Sequence, residues 1–164
     1  MVPMLCEVQA DIDRLKSQIE VANNSSGDVQ DEMKSMAYEY ICVAITGRLE
    51  QNVKTILITY ANNCSERSMG KAISRLCQGF LNPSKDKLVD LVGLFDKGFA
   101  DNLREEWQDD GSLGHTISDM VGKRKVIAHQ TKNNRDVTRT KIRQYFNAYK
   151  DLVTLLDTHF LTRP

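Results

Sequence analysis

The segment IRQYFNAYKDLVTLLDTHF, residues 142–160, decides the fold. Ile142, Tyr145, Phe146, Tyr149, Leu152, Val153, Leu156 and Phe160 recur at steps of three and four, which is one apolar face of a helix. That helix is expected from about Asp136 to His159. Working upstream, Asn133 and Asn134 end a preceding helix that starts after the cap Ser112 and the turn Asp109-Asp110-Gly111. Before it, Ser84 is placed to cap a helix carrying Leu88, Leu91, Val92, Phe95 and Phe99, running to Trp107. Asn82 and Pro83 punctuate the chain, and Ser65 is placed to cap a third helix ending near Phe80. The second helix is long, about Asp28 to Asn62. Its stripe takes in Met33, Met36, Ala37, Tyr40, Ile41, Ala44, Ile45, Leu49, Val53, Ile56 and Tyr60. Gly47 falls inside it, where glycine costs about 1 kcal/mol against alanine. The expected compensation is close approach of another helix, or a break. The first helix spans about Met4 to Val21 and ends in the polar loop Asn23 to Asp28. No segment alternates as a strand does, and nothing repeats. The expectation is all-α: one domain over residues 1–164, an up-and-down bundle of five or six helices.

Composition agrees with that class. Of 164 residues, 41% are apolar and 27% charged, as in a globular chain. The three prolines (Pro3, Pro83 and Pro164) leave long helices free to form. A net charge of zero argues against a generic nucleic-acid coat protein. The charge is uneven, however. Residues 123–150 hold nine basic side chains against Asp136 alone, a net +8, a pole that attracts polyanions. The four cysteines show no CxxC spacing, so zinc is not expected and Cys42 reads as a small buried hydrophobe. No GxGxxG, P-loop, HExxH or GxSxG motif occurs, and no cofactor is expected. With no signal-peptide pattern and no membrane span, a cytoplasmic location and no membrane partner are expected.

The chemistry centres on KRKVIAH, residues 123–129. An arginine holds phosphate and a histidine moves a proton near neutral pH. On a helical wheel the inward positions are Leu113, Ile117, Met120, Val121, Arg124, Ile127 and Ala128. Arg124 thus occupies the apolar stripe and needs an acceptor: a carboxylate, a helix end or a bound phosphate. Glu50 is a candidate. A structural ion pair and a functional guanidinium are equally open on the wheel alone. His129 lies about 140° round the helix from Arg124. The two converge only if the helix ends at His129 or a second copy lies across a two-fold axis. Ser118 and Asp119 read as polar partners of the motif or as solvent-facing. Lys132, Arg135 and Arg139 form a substrate-guiding stretch or a solvated face. His115 and His159 have no assigned role, and Tyr145 and Tyr149 belong to the core by spacing.

The motif RKVIAH, residues 124–129, resembles the R-x4-H signature of HEPN domains (higher eukaryotes and prokaryotes nucleotide-binding). It has the matching context of a helix, a loop and a final amphipathic helix. YICVAITGRLE, residues 40–50, is similar to the long helix of the RiboL-PSP-HEPN subgroup. The resemblance implies a bundle that dimerises through its motif helices, with arginines and histidines of both chains facing one groove. Many such proteins are metal-independent endoribonucleases of toxin–antitoxin or defence systems. Others are inert dimerisation or interaction modules. Under the first reading Arg124 and His129 are catalytic, and Lys125, Lys132, Arg135 and Arg139 bind RNA. The implied partners are RNA, a second copy and an antitoxin or other protein. Under the second reading Arg124 is a structural pair. A third reading is a small regulatory nucleotide-binding bundle. Lys125 departs from the asparagine, aspartate or histidine usual after the arginine. It accepts no hydrogen bond, but it suits a phosphate.

Overall fold

The computed structural model describes residues 4–24, 31–64, 67–129 and 137–162. Ser65, the loop residues 25–28, and Lys132, Asn133, Asn134, Arg135 and Asp136 lie outside the described residues. The described chain is all-α, with no strand. Its helices are α1 (Cys6–Asn24), α2 (Asp31–Cys64), α3 (Arg67–Gln78), α4 (Lys85–Gly93), α5 (Lys97–Glu106), α6 (Leu113–Ala128) and α7 (Arg139–Leu161). None is long and apolar enough to cross a membrane.

The long α2 is the centre of the bundle and packs against α1, α3, α6 and α7. Its neighbours alternate in direction. Asp11 of α1 pairs with Arg48 at 3.1 Å, while Asn23 near the end of α1 accepts from Tyr38 at 3.1 Å, so α1 runs against α2. Asn52 donates to Tyr149 at 2.7 Å and Tyr60 packs on Phe160 at 5.0 Å, so α7 runs with it. The stripe of α7 is buried as its spacing requires: Ile142, Tyr145, Tyr149, Leu152, Val153 and Leu156 are all inaccessible to solvent. Both buried phenols have partners, since Tyr145 Oη donates to Asp119 Oδ2 at 2.9 Å and Tyr149 Oη accepts from Asn52. Burial raises the pKa of each. They are core residues and not stacking platforms.

Three expectations are corrected. The helix read from Ser84 to Trp107 is two helices, because Asp96 breaks it. Its side chain accepts from Phe99 N at 2.9 Å and caps a new helix, while tight turns at Leu94 and Phe95 close the old one. At Gly93 a Cβ would lie 3.4 Å from Ala100 Cβ, so a small residue lets α4 and α5 fold close together.

At Gly47 neither expected compensation occurs. α2 continues through it unbroken, and a Cβ there would meet nothing within 4 Å. No close helix approach compensates for this glycine. Gly47→Ala should therefore stabilise the fold by about 0.5–1 kcal/mol. The change reads as a higher urea midpoint at unchanged slope.

Several stripe positions face solvent instead of the core. Met33, Met36 and Tyr40 are exposed, as is Ala128 of α6. At this end of α2 the groove against α1 is lined by Ala37, Tyr40 and Ile41, and Ile41 alone of these is fully buried. Periodicity marks which face is apolar, whereas burial also needs a neighbour that reaches it.

At the far end of the bundle, Tyr60, Phe95, Phe99 and Phe160 form an aromatic cluster with centroids 5.0–6.4 Å apart. His159, given no role from sequence, stacks on Phe99 at 3.7 Å, and its Nε2 lies 2.9 Å from Asp96 Oδ2. The Phe99 amide, followed by His159, holds the Asp96 carboxyl below the usual carboxylate range. This histidine joins α7 to the cap of α5.

Candidate functional site

α6 carries the motif, and its start is fixed by local chemistry. Ser112 caps it, accepting from His115 N at 3.2 Å. Gly114 sits under the indole of buried Trp107, where a Cβ would come within 2.6 Å of the ring. Gly114→Ala should thus force apart the α5–α6 junction and cost about 1–3 kcal/mol. Because Trp107 is the chain's one tryptophan, its fluorescence should shift along with the lowered urea midpoint.

Ser118 and Asp119, read as either polar partners or solvent-facing, both hold α6 in place. Ser84 occupies the N-cap of α4, but its side chain makes no capping bond. Ser118 Oγ accepts from Lys85 N at 3.0 Å instead, so α6 caps α4 from outside. Asp119 accepts from Lys141 Nζ at 2.8 Å and from Tyr145. Burial pushes its carboxyl up, but these two hydrogen bonds together with the charges of Lys141 and Lys123 outweigh burial and hold it below the usual range.

One turn beyond Met120 and Val121, Arg124 continues the buried stripe to its rim. Its Nη1 donates to Asn82 Oδ1 at 2.9 Å and lies 4.0 Å from Glu50 Oε2. The candidate acceptor is therefore adjacent, but the hydrogen bond goes to Asn82. Asn82 has φ 55°, in the left-handed region that asparagine tolerates better than most side chains. That conformation serves both ends of the residue, because its backbone N donates to Glu50 Oε2 at 3.1 Å. Glu50 Oε1 accepts from Lys54 Nζ at 3.1 Å, one turn along α2. A single carboxylate, 10% exposed, thus faces Lys54, the Asn82 amide and Arg124. Sequence reading treated Asn82 only as punctuation. The available signal was Asn-Pro, a pair that fixes a loop beside a capping serine.

His129 stands apart from this network. It is the C-cap of α6, exposed, with its backbone N donating to Lys125 O at 3.0 Å. The helix end anticipated at this position is present. Yet no hydrogen bond or ion pair joins His129 to Arg124 within one chain. Lys125 is exposed. Arg139 opens α7, exposed, in a groove between α1 and α7 whose lining includes neither Arg124 nor His129. The predicted site residues Lys132 and Arg135 lie outside the described residues. His115 is exposed, its Nδ1 3.6 Å from Asp110. Of the four cysteines, Cys42 and Cys77 are buried and all are free. Burial pushes the Cys42 thiol up to about 12, which makes it inert at neutral pH.

The arrangement offers a partly exposed guanidinium held at a fixed position, an exposed imidazole at the end of the same helix, and one exposed lysine, Lys125, between them. Comparison with family models, with curated proteins and with solved structures gives no match.

Proposed function

We propose that this chain is a metal-independent endoribonuclease of the HEPN type that acts as a homodimer. The observation that carries this reading is the state of Arg124. It is aimed by Asn82 while its side chain keeps 30% of its surface open, which suits a group that also meets a ligand. His129, exposed five residues on, supports the same reading. The two-fold axis of a dimer would bring the histidine of one copy to the arginine of the other and so supply the missing convergence.

In the proposed reaction the RNA 2′-hydroxyl attacks the adjacent phosphorus and the bond to the 5′-oxygen breaks. His129 takes the proton from the attacking hydroxyl or gives one to the leaving oxygen. Arg124 stabilises charge on the phosphate. Lys125, Lys132, Arg135 and Arg139 guide the backbone. The products are a 2′,3′-cyclic phosphate and a 5′-hydroxyl. A toxin–antitoxin or defence setting, with an antitoxin as protein partner, fits such an enzyme. The test is incubation of end-labelled RNA with purified protein in EDTA. Cyclic-phosphate ends are expected, and intact RNA with folded dimer overturns the proposal.

The Arg124–Asn82 bond also favours a second reading, an inert interaction module in which Arg124 only braces the loop before α4. It predicts that Arg124→Ala breaks the dimer or unfolds the chain, with RNA left intact throughout.

A further inference from the structure

We propose that the uncovered face of α2 is a self-association seam, which packs antiparallel against the same face of a second copy about a two-fold axis at Tyr40. This goes beyond the ribonuclease reading, whose two-fold passes through α6, because the seam uses neither Arg124 nor His129.

The seam follows from spacing. Met33, Met36, Tyr40, Val43 and Gly47 recur at steps of three, four, three and four, the a and d positions of a coiled coil, with Ala37 and Ala44 beside them. Along this line the bundle leaves α2 open. Met33, Met36 and Tyr40 are 60%, 64% and 66% exposed, and Ala37, Val43 and Ala44 are half-buried. Three large apolar side chains so exposed on one helix face form a patch, not scattered surface residues. A Cβ on Gly47 would meet nothing within 4 Å, so the line ends in a dent open to solvent. Glycine there costs about 1 kcal/mol, and nothing within the chain packs into the dent. A helix of another chain fits it.

The order of sizes along the line identifies the occupant. Antiparallel pairing centred on Tyr40 sets Met33 against the partner's Gly47 and Met36 against the partner's Ala44. Val43 then meets the partner's Ala37, and the two Tyr40 rings meet at the axis. Each large side chain opposes a small one, in both directions at once, as an isologous contact requires. Parallel pairing instead sets methionine on methionine at one end and glycine on glycine at the other, which crowds the first and leaves the second empty. No residue of the line is charged, so an acidic or basic partner finds nothing to read. Size agrees as well. From Met33 to Gly47 the seam is about 21 Å long at the helical rise. α1 widens it, because Val21, 67% exposed, lines one groove with Ala37, Tyr40 and Ile41. Two helices side by side, about 10 Å apart, give a face of the order of 800 Å² of accessible surface per partner, which a stable dimer needs.

The test is sedimentation equilibrium of the full chain over a dilution series, with cysteine cross-linking beside it. Reversible self-association is expected. Tyr40→Glu puts two carboxylates at the axis and should weaken association about thirtyfold or more, with helix content unchanged because the position is exposed. Gly47→Leu fills the dent and should weaken association about tenfold or more. Leucine is also the better helix former, so this variant loses association without losing helix. In a chain carrying Cys6→Ser and Cys64→Ser, which removes the exposed thiols, Tyr40→Cys should be linked into a dimer by a short bis-maleimide. Lys125→Cys, exposed on α6, reports the other two-fold separately, so a failure of the seam and a failure of the ribonuclease dimer are told apart. The proposal is overturned by a chain that stays monomeric throughout, by association unchanged in Tyr40→Glu or in Gly47→Leu, or by Tyr40→Cys chains that remain unlinked.

Discussion

His129→Ala should lower RNA cleavage by a factor of about 10²–10⁴ and leave the fold intact. The size follows from the role proposed, proton transfer at the attacking or leaving oxygen, which water replaces poorly. The intact fold follows from the structure. His129 is exposed at the end of α6, and the bond that finishes the helix runs from its backbone N to Lys125 O, which alanine retains. The buried contacts of α6 belong to Gly114, Ile117, Met120 and Val121. An exposed substitution of this kind changes stability by about 0.5 kcal/mol or less. Loss of activity would then report chemistry and not unfolding. The measurement is single-turnover cleavage of labelled RNA in EDTA, with melting temperature and dimer mass followed in parallel. Equal rates for wild type and His129→Ala would remove this histidine from the mechanism. Arg124→Lys is the companion variant. It keeps the charge but loses the forked geometry, so cleavage should fall while the dimer persists.

How far the chain could be read in advance depends on what each residue's role requires. The α7 stripe was legible because neighbours bury every position on it except the half-buried Phe146, so spacing and burial largely agree. The break between α4 and α5 was not. Phe95 and Phe99 both keep the helical spacing across it, and the deciding event is a single side-chain cap from Asp96. Met33, Met36 and Tyr40 misled for the opposite reason, since their spacing is regular and no helix among the described residues covers them. At the site, Arg124 was visible as a charge on an apolar stripe, and Glu50 was nominated as its neighbour. Asn82 stayed hidden. Its function rests on a positive φ and on a partner 42 residues away, and neither leaves a pattern in local sequence.

The largest loss of stability is expected at Glu50. Its carboxylate is 10% exposed and lies against Lys54, which is 13% exposed, so neither charge reaches water freely. Glu50→Ala leaves the Lys54 ammonium without its 3.1 Å partner and the Asn82 amide without its acceptor. Stranding a buried charge in this way costs about 3–5 kcal/mol. In a chain of this size that lowers the melting temperature by about 6–20 °C. Glu50→Gln should cost less, because its carbonyl still accepts from Asn82, although it leaves the ammonium unneutralised. Adding Lys54→Met to Glu50→Ala should recover part of the loss by removing the stranded charge, a coupling that a double-mutant cycle measures. Arg124→Ala alone should cost only about 1 kcal/mol, because Glu50 keeps both Lys54 and Asn82 while the removed guanidinium was 30% exposed and 4.0 Å away. This ordering separates the two readings of the site. If Arg124→Ala is as damaging as Glu50→Ala, then Arg124 is a structural brace, and any loss of cleavage in that variant reports unfolding. If it is mild in stability and severe in cleavage, the guanidinium is held by the Asn82 loop and Glu50 for a ligand, and the carboxylate network is its scaffold.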